Sequence, residues 1–185
     1  MTLFTSDILV TSDLDLARYL RKYPKAYNLI EKGKFIINYN KLLLLSTICK
    51  KKTKYAIVIN TLHSSESQKG ITGHWTVLLV ERMSKFGSGK CIFIDSLLSS
   101  YKSNSSLRSI INRFCNMNEL YLNVWNVKTQ RLNSNYCGFG IIYFVWYFTK
   151  YGLKGIYKLK AMLKKYSLTE IENYILKRAY KLCIY

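Results

Sequence analysis

Two histidines, His63 and His74, limit the acid–base chemistry open to this chain. Any Cys–His or Ser–His mechanism has to use one of them. His63 sits in a polar run, Ser64-Ser65-Glu66-Ser67-Gln68, where an imidazole would be poorly held. His74 follows Gly70-Ile71-Thr72-Gly73 and opens the apolar run Trp75 to Val80, so it is expected at the rigid start of a strand. It reads there either as a general base or as a strand-end histidine with an ordinary hydrogen bond. Asp95 closes the next apolar run. A hairpin would set the start of one strand beside the end of the other, and the carboxylate would then orient the imidazole and stabilise its cation. Without that contact, Asp95 is the cap of a turn with Ser96.

Cys137 opens Cys137-Gly138-Phe139-Gly140, the passage from an Asn- and Ser-rich loop into an apolar segment. A thiol at a helix N-terminus is acidified by exposed N–H groups and the helix dipole, and an adjacent imidazolium acidifies it further. Gly138 and Gly140 leave room for a substrate backbone. The Cys137 N–H and the Gln130 side-chain amide, seven residues earlier, are candidate oxyanion donors. Taken singly, Cys137 fits a packing residue and Gln130 a surface one. Their order with His74 and Asp95 fits a nucleophilic site.

The elements that must position these residues are partly visible. Ser12, with Asp13 and Asp15, predicts a capped helix to about Lys22. Strands are predicted over Tyr55–Thr61, His74–Glu81 and Lys90–Asp95, the last two joined across Gly87-Ser88-Gly89. Leu107, Ile110, Ile111 and Phe114 lie at helical spacing within Ser105–Asn116, and Tyr121–Lys128 alternates as a further strand. Apolar helix is expected from Cys137 to Tyr151. An amphipathic helix opening on Ser167-Leu168-Thr169-Glu170 is expected for the tail. Strands and helices mix without strict βαβ alternation, which predicts an α+β fold.

At 185 residues the chain is large enough for one well-buried domain, and residues 1–185 read as a single one with an N-terminal helical region over 1–23. With 49% hydrophobic and 21% charged residues, a disordered chain is excluded. Twenty-nine Lys and Arg face ten Asp and Glu, a net charge of +19. Residues 1–15 hold Asp7, Asp13 and Asp15 and no base, so the other 170 residues carry +22. Lysines concentrate at Lys50, Lys51, Lys52 and Lys54, and again at Lys154, Lys158, Lys160, Lys164 and Lys165. Such a field attracts polyanions, nucleic acid before an anionic membrane, although a solvated surface in a lysine-rich composition looks the same. Five widely spaced cysteines with no Cys-x-x-Cys pair predict neither a zinc site nor a disulfide framework. The acidic N-terminus lacks the basic start of a secretory signal, and the longest apolar run, Gly138–Phe148, is 11 residues. A spanning helix needs about 20. A non-secreted protein of a reducing compartment is expected, without a membrane span.

The segments Ala56-Ile57-Val58-Ile59-Asn60-Thr61, Gly70 to Trp75 and Gln130-x6-Cys137-Gly138-Phe139 resemble the adenain family of adenovirus maturation proteases. More broadly they resemble the clan that includes the SUMO-deconjugating proteases. The resemblance covers residues 24–150, and Asn133-Ser134 is similar to a pair that the adenovirus enzymes carry before their cysteine. It implies a central mixed sheet flanked by helices, with the nucleophile at a helix N-terminus. His74 would be the general base, Asp95 the orienting acid, Cys137 the nucleophile and Gln130 the oxyanion donor, with Trp75 walling the histidine. No metal is implied.

By the same resemblance the chain would be a monomeric cysteine endopeptidase of a virus or virus-like element. It would cleave virion precursor proteins at Gly-containing sites during particle maturation, in the virion and the host nucleus or cytoplasm. DNA would serve as a cofactor, with Lys50, Lys51, Lys52, Lys154, Lys158, Lys164 and Lys165 as its contacts. A peptide activator would join through a disulfide, Cys115 being the nearest candidate by position. The adenovirus enzymes carry Glu where Asp95 stands, and the SUMO branch Asp. The His-to-acid gap is slightly longer here, a difference the Ser84–Lys90 turn could absorb, and the helical extension over residues 152–185 has no clear match in the family. A SUMO- or ubiquitin-like-specific isopeptidase and a non-catalytic basic nucleic-acid-binding protein are the alternative functions.

Overall fold

The computed structural model describes residues 12–67, 73–85, 87–132, 134 and 136–184. Asp7, Gly70-Ile71-Thr72 and Asn133 of the expectations above lie outside them. Helix α1 (Asp13–Arg21) starts as its sequence predicts: the Ser12 hydroxyl accepts from Asp15 N at 3.1 Å while Ser12 N donates back to the Asp15 carboxylate at 3.2 Å. Helix α2 (Pro24–Leu29) takes its proline at the first turn, where the missing N–H costs nothing. Strand β1 (Ile36–Asn38), a 3₁₀ segment over Tyr39–Leu45 and α3 (Ser46–Lys50) lead into β2 (Lys54–Asn60). A short α4 (Ser64–Ser67) precedes β3 (Trp75–Arg82) and β4 (Gly89–Ile94). Then come α5 (Ser100–Ser103), α6 (Ser105–Met117), β5 (Leu120–Val124), α7 (Cys137–Leu163) and α8 (Leu168–Ile184).

The strands form one mixed sheet in the order β1-β2-β3-β4-β5. The two outer pairings, β1 with β2 and β4 with β5, are parallel, and the central pairings are antiparallel. Val77 pairs with Ile94, so the residue before β3 and the residue after β4 share one end of the sheet. Helix α7 lies across β3 with α2 and α8 against it. On β4, Cys91 and Phe93 share one face by strand alternation, and that face meets α6 and α5: the Cys91 and Cys115 sulfurs are 3.7 Å apart and the Phe93 and Tyr101 rings 5.6 Å. The core thus takes in both α7 and α6, within an α+β architecture of helices flanking the sheet.

Three elements depart from expectation. Strand β1 carries no predictive pattern, because three half-buried residues are too few to alternate. The strand predicted over Tyr121–Lys128 ends at Val124; the chain beyond still follows β4, with Trp125 N donating to Phe93 O at 2.8 Å and Thr129 N to Ser96 O at 2.9 Å. The predicted helix end at Tyr151 is a break at Gly152 (φ 61°, ψ −167°), after which helix resumes to Leu163. A Cβ at Gly152 would fall 2.7 Å from a Glu81 carboxylate oxygen, and that carboxylate accepts from Leu153 N at 3.0 Å. Glu81 therefore caps the second half of α7. The tail helix begins as predicted, with Ser167 N donating to Glu170 at 2.8 Å.

Candidate active site

His74 precedes β3 and is held by its backbone on both sides: its N–H donates to Thr61 Oγ1 at 3.2 Å, and its carbonyl accepts from Thr61 N at 3.0 Å. The ring is thereby fixed at the sheet end to which Asp95 also belongs. Its Nε2 donates to Asp95 Oδ1 at 2.8 Å. Asp95 is 2% exposed, and the turn after it wraps N–H groups around its carboxylate: Leu97 N to Oδ1 at 2.9 Å and Ser100 N to Oδ2 at 2.7 Å. That wrapping needs Leu98 in the left-handed region (φ 64°), a local cost set against two charge-assisted hydrogen bonds.

With Nε2 committed to Asp95, Nδ1 is the nitrogen left for a thiol, and Cys137 is the thiol that interacts with His74. Cys137 is the first residue of α7 and partly exposed. Burial raises its pKa, but the imidazole's hydrogen bond and charge, with backbone N–H groups of Trp75 and Gly138, outweigh this and hold it below the ordinary thiol value. Burial lowers the pKa of His74, yet the Asp95 and Cys137 contacts reverse it to about 9. For Asp95, too, burial is outweighed by the His74 hydrogen bond and charge and the two backbone donors, which hold its carboxyl below the usual carboxylate range. A lowered thiol beside a raised imidazole shifts the pair toward thiolate and imidazolium. Such a pair has a nucleophile and, within reach, the acid that protonates a leaving group.

The other thiols behave differently. Burial pushes Cys49 and Cys183 up to about 12. Its hydrogen bond with Cys115, together with burial, raises Cys91. Cys115 is 2% exposed against Cys91, so a peptide activator has no surface thiol to meet there and that expectation does not carry over. His63 stands apart, its Nδ1 2.8 Å from Ser65 Oγ and its ring against Tyr39.

Gln130 is buried in the loop between β5 and α7, not on the surface. Its Oε1 accepts from Ser96 Oγ at 2.7 Å, and its Nε2 donates to the Ser134 carbonyl. The amide orientation is thereby set, and one of its two N–H groups is committed. The Trp75 N–H at the sulfur is a contribution that residue-type reasoning misses, since a backbone group leaves no trace in side-chain identity. Gly73, which a Cβ would drive into Asn60 and Leu62, packs the approach to His74 tightly.

Some of the lysines gather at the other end of the sheet, while Lys160 reaches back over the Trp125 ring at 5.7 Å. Lys50, Lys51 and Lys85 line a cleft of about 350 Å³ beside Arg82, and Lys154 and Lys158 line a cavity of about 950 Å³ on its other side. Lys164 and Lys165 are exposed beyond the end of α7. The Lys52 ammonium pairs with Glu31. Among the described residues no group of His, Cys, Asp or Glu is arranged to hold a metal, and no helix is long and apolar enough to cross a membrane.

No protein-family model matches the chain, and no curated protein does. A solved structure of an AvrA deletion variant with IP6 and CoA overlays on 81% of this chain and 53% of its own, with 15% identity and a TM-score of 0.48. This chain spans about half the length of that protein.

Proposed function

We propose that this chain is a cysteine endopeptidase with Cys137 as nucleophile, His74 as general base and acid, Asp95 as its orienting acid and Gln130 as an oxyanion donor. The unbroken contact from Asp95 through His74 to a Cys137 of lowered pKa, at the first residue of a helix, carries the proposal. The thiolate adds to a peptide carbonyl, and the oxyanion is met by the Cys137 N–H, free of an intrahelical acceptor, and the second N–H of Gln130. The C–N bond then breaks, the His74 imidazolium gives its proton to the amine, and a thioester remains. Neutral His74 takes a proton from water, the hydroxide attacks the thioester, and the C–S bond breaks to return the thiolate.

The resemblance to adenovirus maturation proteases supports a narrower form: processing of virion precursor proteins at Gly-containing sites, within the virion and the infected nucleus or cytoplasm. DNA would bind Lys50, Lys51, Lys154, Lys158, Lys164 and Lys165 by counterion release, with affinity falling steeply with salt. Peptide-library cleavage by wild type and by Cys137→Ala, with and without DNA, tests the proposal. Cleavage confined to wild type is expected, and cleavage that survives Cys137→Ala would sink it. A panel of ubiquitin-like C-terminal fluorogenic substrates separates a precursor protease, which should largely ignore them, from an isopeptidase.

A further inference from the structure

Helix α8 buries Ile171, Ile175, Leu176, Ala179, Leu182 and Cys183, an apolar face sufficient to seat it against α7. One charged residue shares that burial: Glu172, 2% exposed. A buried carboxylate is costly to desolvate, so its partners matter. All of those found lie in the loop that leads to Cys137. Oε1 accepts from Arg131 N at 3.1 Å and from Ser134 Oγ at 2.7 Å, and Oε2 accepts from Arg131 Nε at 2.5 Å. The Ser134 hydroxyl also lies 3.0 Å from the Arg131 carbonyl, so both ends of the turn are tied to one carboxylate.

Ser134 is also where Gln130 is held, its carbonyl accepting from Gln130 Nε2 while Ser96 grips the amide oxygen. From the turn of the Ser134 carbonyl toward Gln130, we infer that Glu172 is a positioning residue for the oxyanion side of the site. It acts through Ser134 to fix which way the Gln130 amide points. This rests on the proposed role of Cys137 and Gln130, and it brings α8 into the working of the site. The imidazole is anchored elsewhere, by Thr61 and Asp95, and neither of those contacts involves Glu172.

Two reactions of Cys137 separate these supports. Alkylation by iodoacetamide displaces iodide and forms no oxyanion, whereas acylation by p-nitrophenyl acetate passes through one. In Glu172→Gln the amide oxygen can still accept from Arg131 N and Ser134, but the amide nitrogen meets Arg131 Nε donor against donor and the charge that held the guanidinium is gone, which loosens the turn. Acylation should fall about tenfold or more, while the alkylation rate and its pH dependence stay within about twofold of wild type. Ser134→Ala, which removes the hydroxyl link and leaves the α8 core intact, should lower acylation in the same sense by less. Acylation unchanged in both variants, or alkylation and acylation falling together in both, would overturn the role of Glu172. A wild-type Cys137 that alkylates no faster than an ordinary free cysteine would instead overturn the catalytic proposal beneath it.

Discussion

Helix α7 has two beginnings, and each faces a side chain able to carry negative charge. At Cys137 the first turn faces a thiol whose charge is shared with His74. At Leu153, past the break at Gly152, the second half is capped by Glu81, whose other neighbour is Lys54 Nζ at 3.8 Å. The electrostatics are the same, with orphan N–H groups and a dipole stabilising negative charge. The chemistry is opposite. The Glu81 carboxylate joins Leu153 N to the Lys54 side of the sheet, so the contact holds two elements together. In the proposed mechanism Cys137 becomes an anion only as His74 takes the proton, so the contact would keep a nucleophile beside its acid. A helix N-terminus becomes reactive when the group placed on it titrates against a partner.

The ends of the sheet divide in the same way. Along β3, His74 and Arg82 lie roughly 25 Å apart at strand rise. The His74 end carries the titrating groups, and the Arg82 end carries the clefts lined by Lys50, Lys51, Lys85, Lys154 and Lys158. A polyanion drawn to the basic end need not cover the thiol.

The largest expected effect comes from removing the titrating pair. Cys137→Ala or His74→Ala should lower peptide hydrolysis by about 10⁴-fold or more while leaving the unfolding midpoint close to wild type. Retained hydrolysis in either would make the two helix starts equivalent. Asp95→Asn should cost roughly 10²- to 10⁴-fold in kcat, since the amide can neither compensate the imidazolium nor accept from both backbone donors. It should also move the basic limb of the pH–rate profile below about 9.

In wild type the sign of that profile follows from the two shifts. Activity should rise as pH passes the lowered Cys137 value, where the thiolate forms, and fall near about 9, where His74 loses the proton the leaving amine requires. A single rising limb centred at an ordinary thiol pKa would contradict the pair.

At the second helix start, Gly152→Ala places a Cβ against Glu81 in a backbone conformation that suits glycine. It should cost ~1–3 kcal/mol in denaturant unfolding, with Cys137 alkylation unchanged. A loss of alkylation there would show that the halves of α7 are not independent. The smallest effect is expected from DNA itself. A duplex bound at low salt should change Cys137 alkylation by less than about twofold, and strong protection would place the polyanion over the site.

Much of the His74 end is legible in residue order. Apolar runs of strand length bounded by glycine put His74 and Asp95 on adjacent strand ends, and antiparallel pairing does the rest. Cys137 before an apolar, helix-forming run is legible for the same reason: patterning is local, and the helix start follows from it. The Arg82 end is less so. β1 is too short to show alternation, and its parallel pairing with β2 is a long-range choice. Gly152 looks like a helix end, but Glu81, seventy-one positions earlier, supplies the cap that lets the helix resume.

Residue types and spacing were enough to single out candidates for a nucleophile, a base, an acid and an oxyanion donor, because each role requires a particular chemical group beside a particular kind of strand or helix end. They could not show that the Trp75 backbone reaches the sulfur, that Cys115 is walled in by Cys91, that Lys52 is taken by Glu31, or that Glu172 holds the loop before Cys137. Those contacts join segments far apart in the chain or use backbone groups common to every residue. Local pattern carries no record of either, and packing of the whole chain decides them.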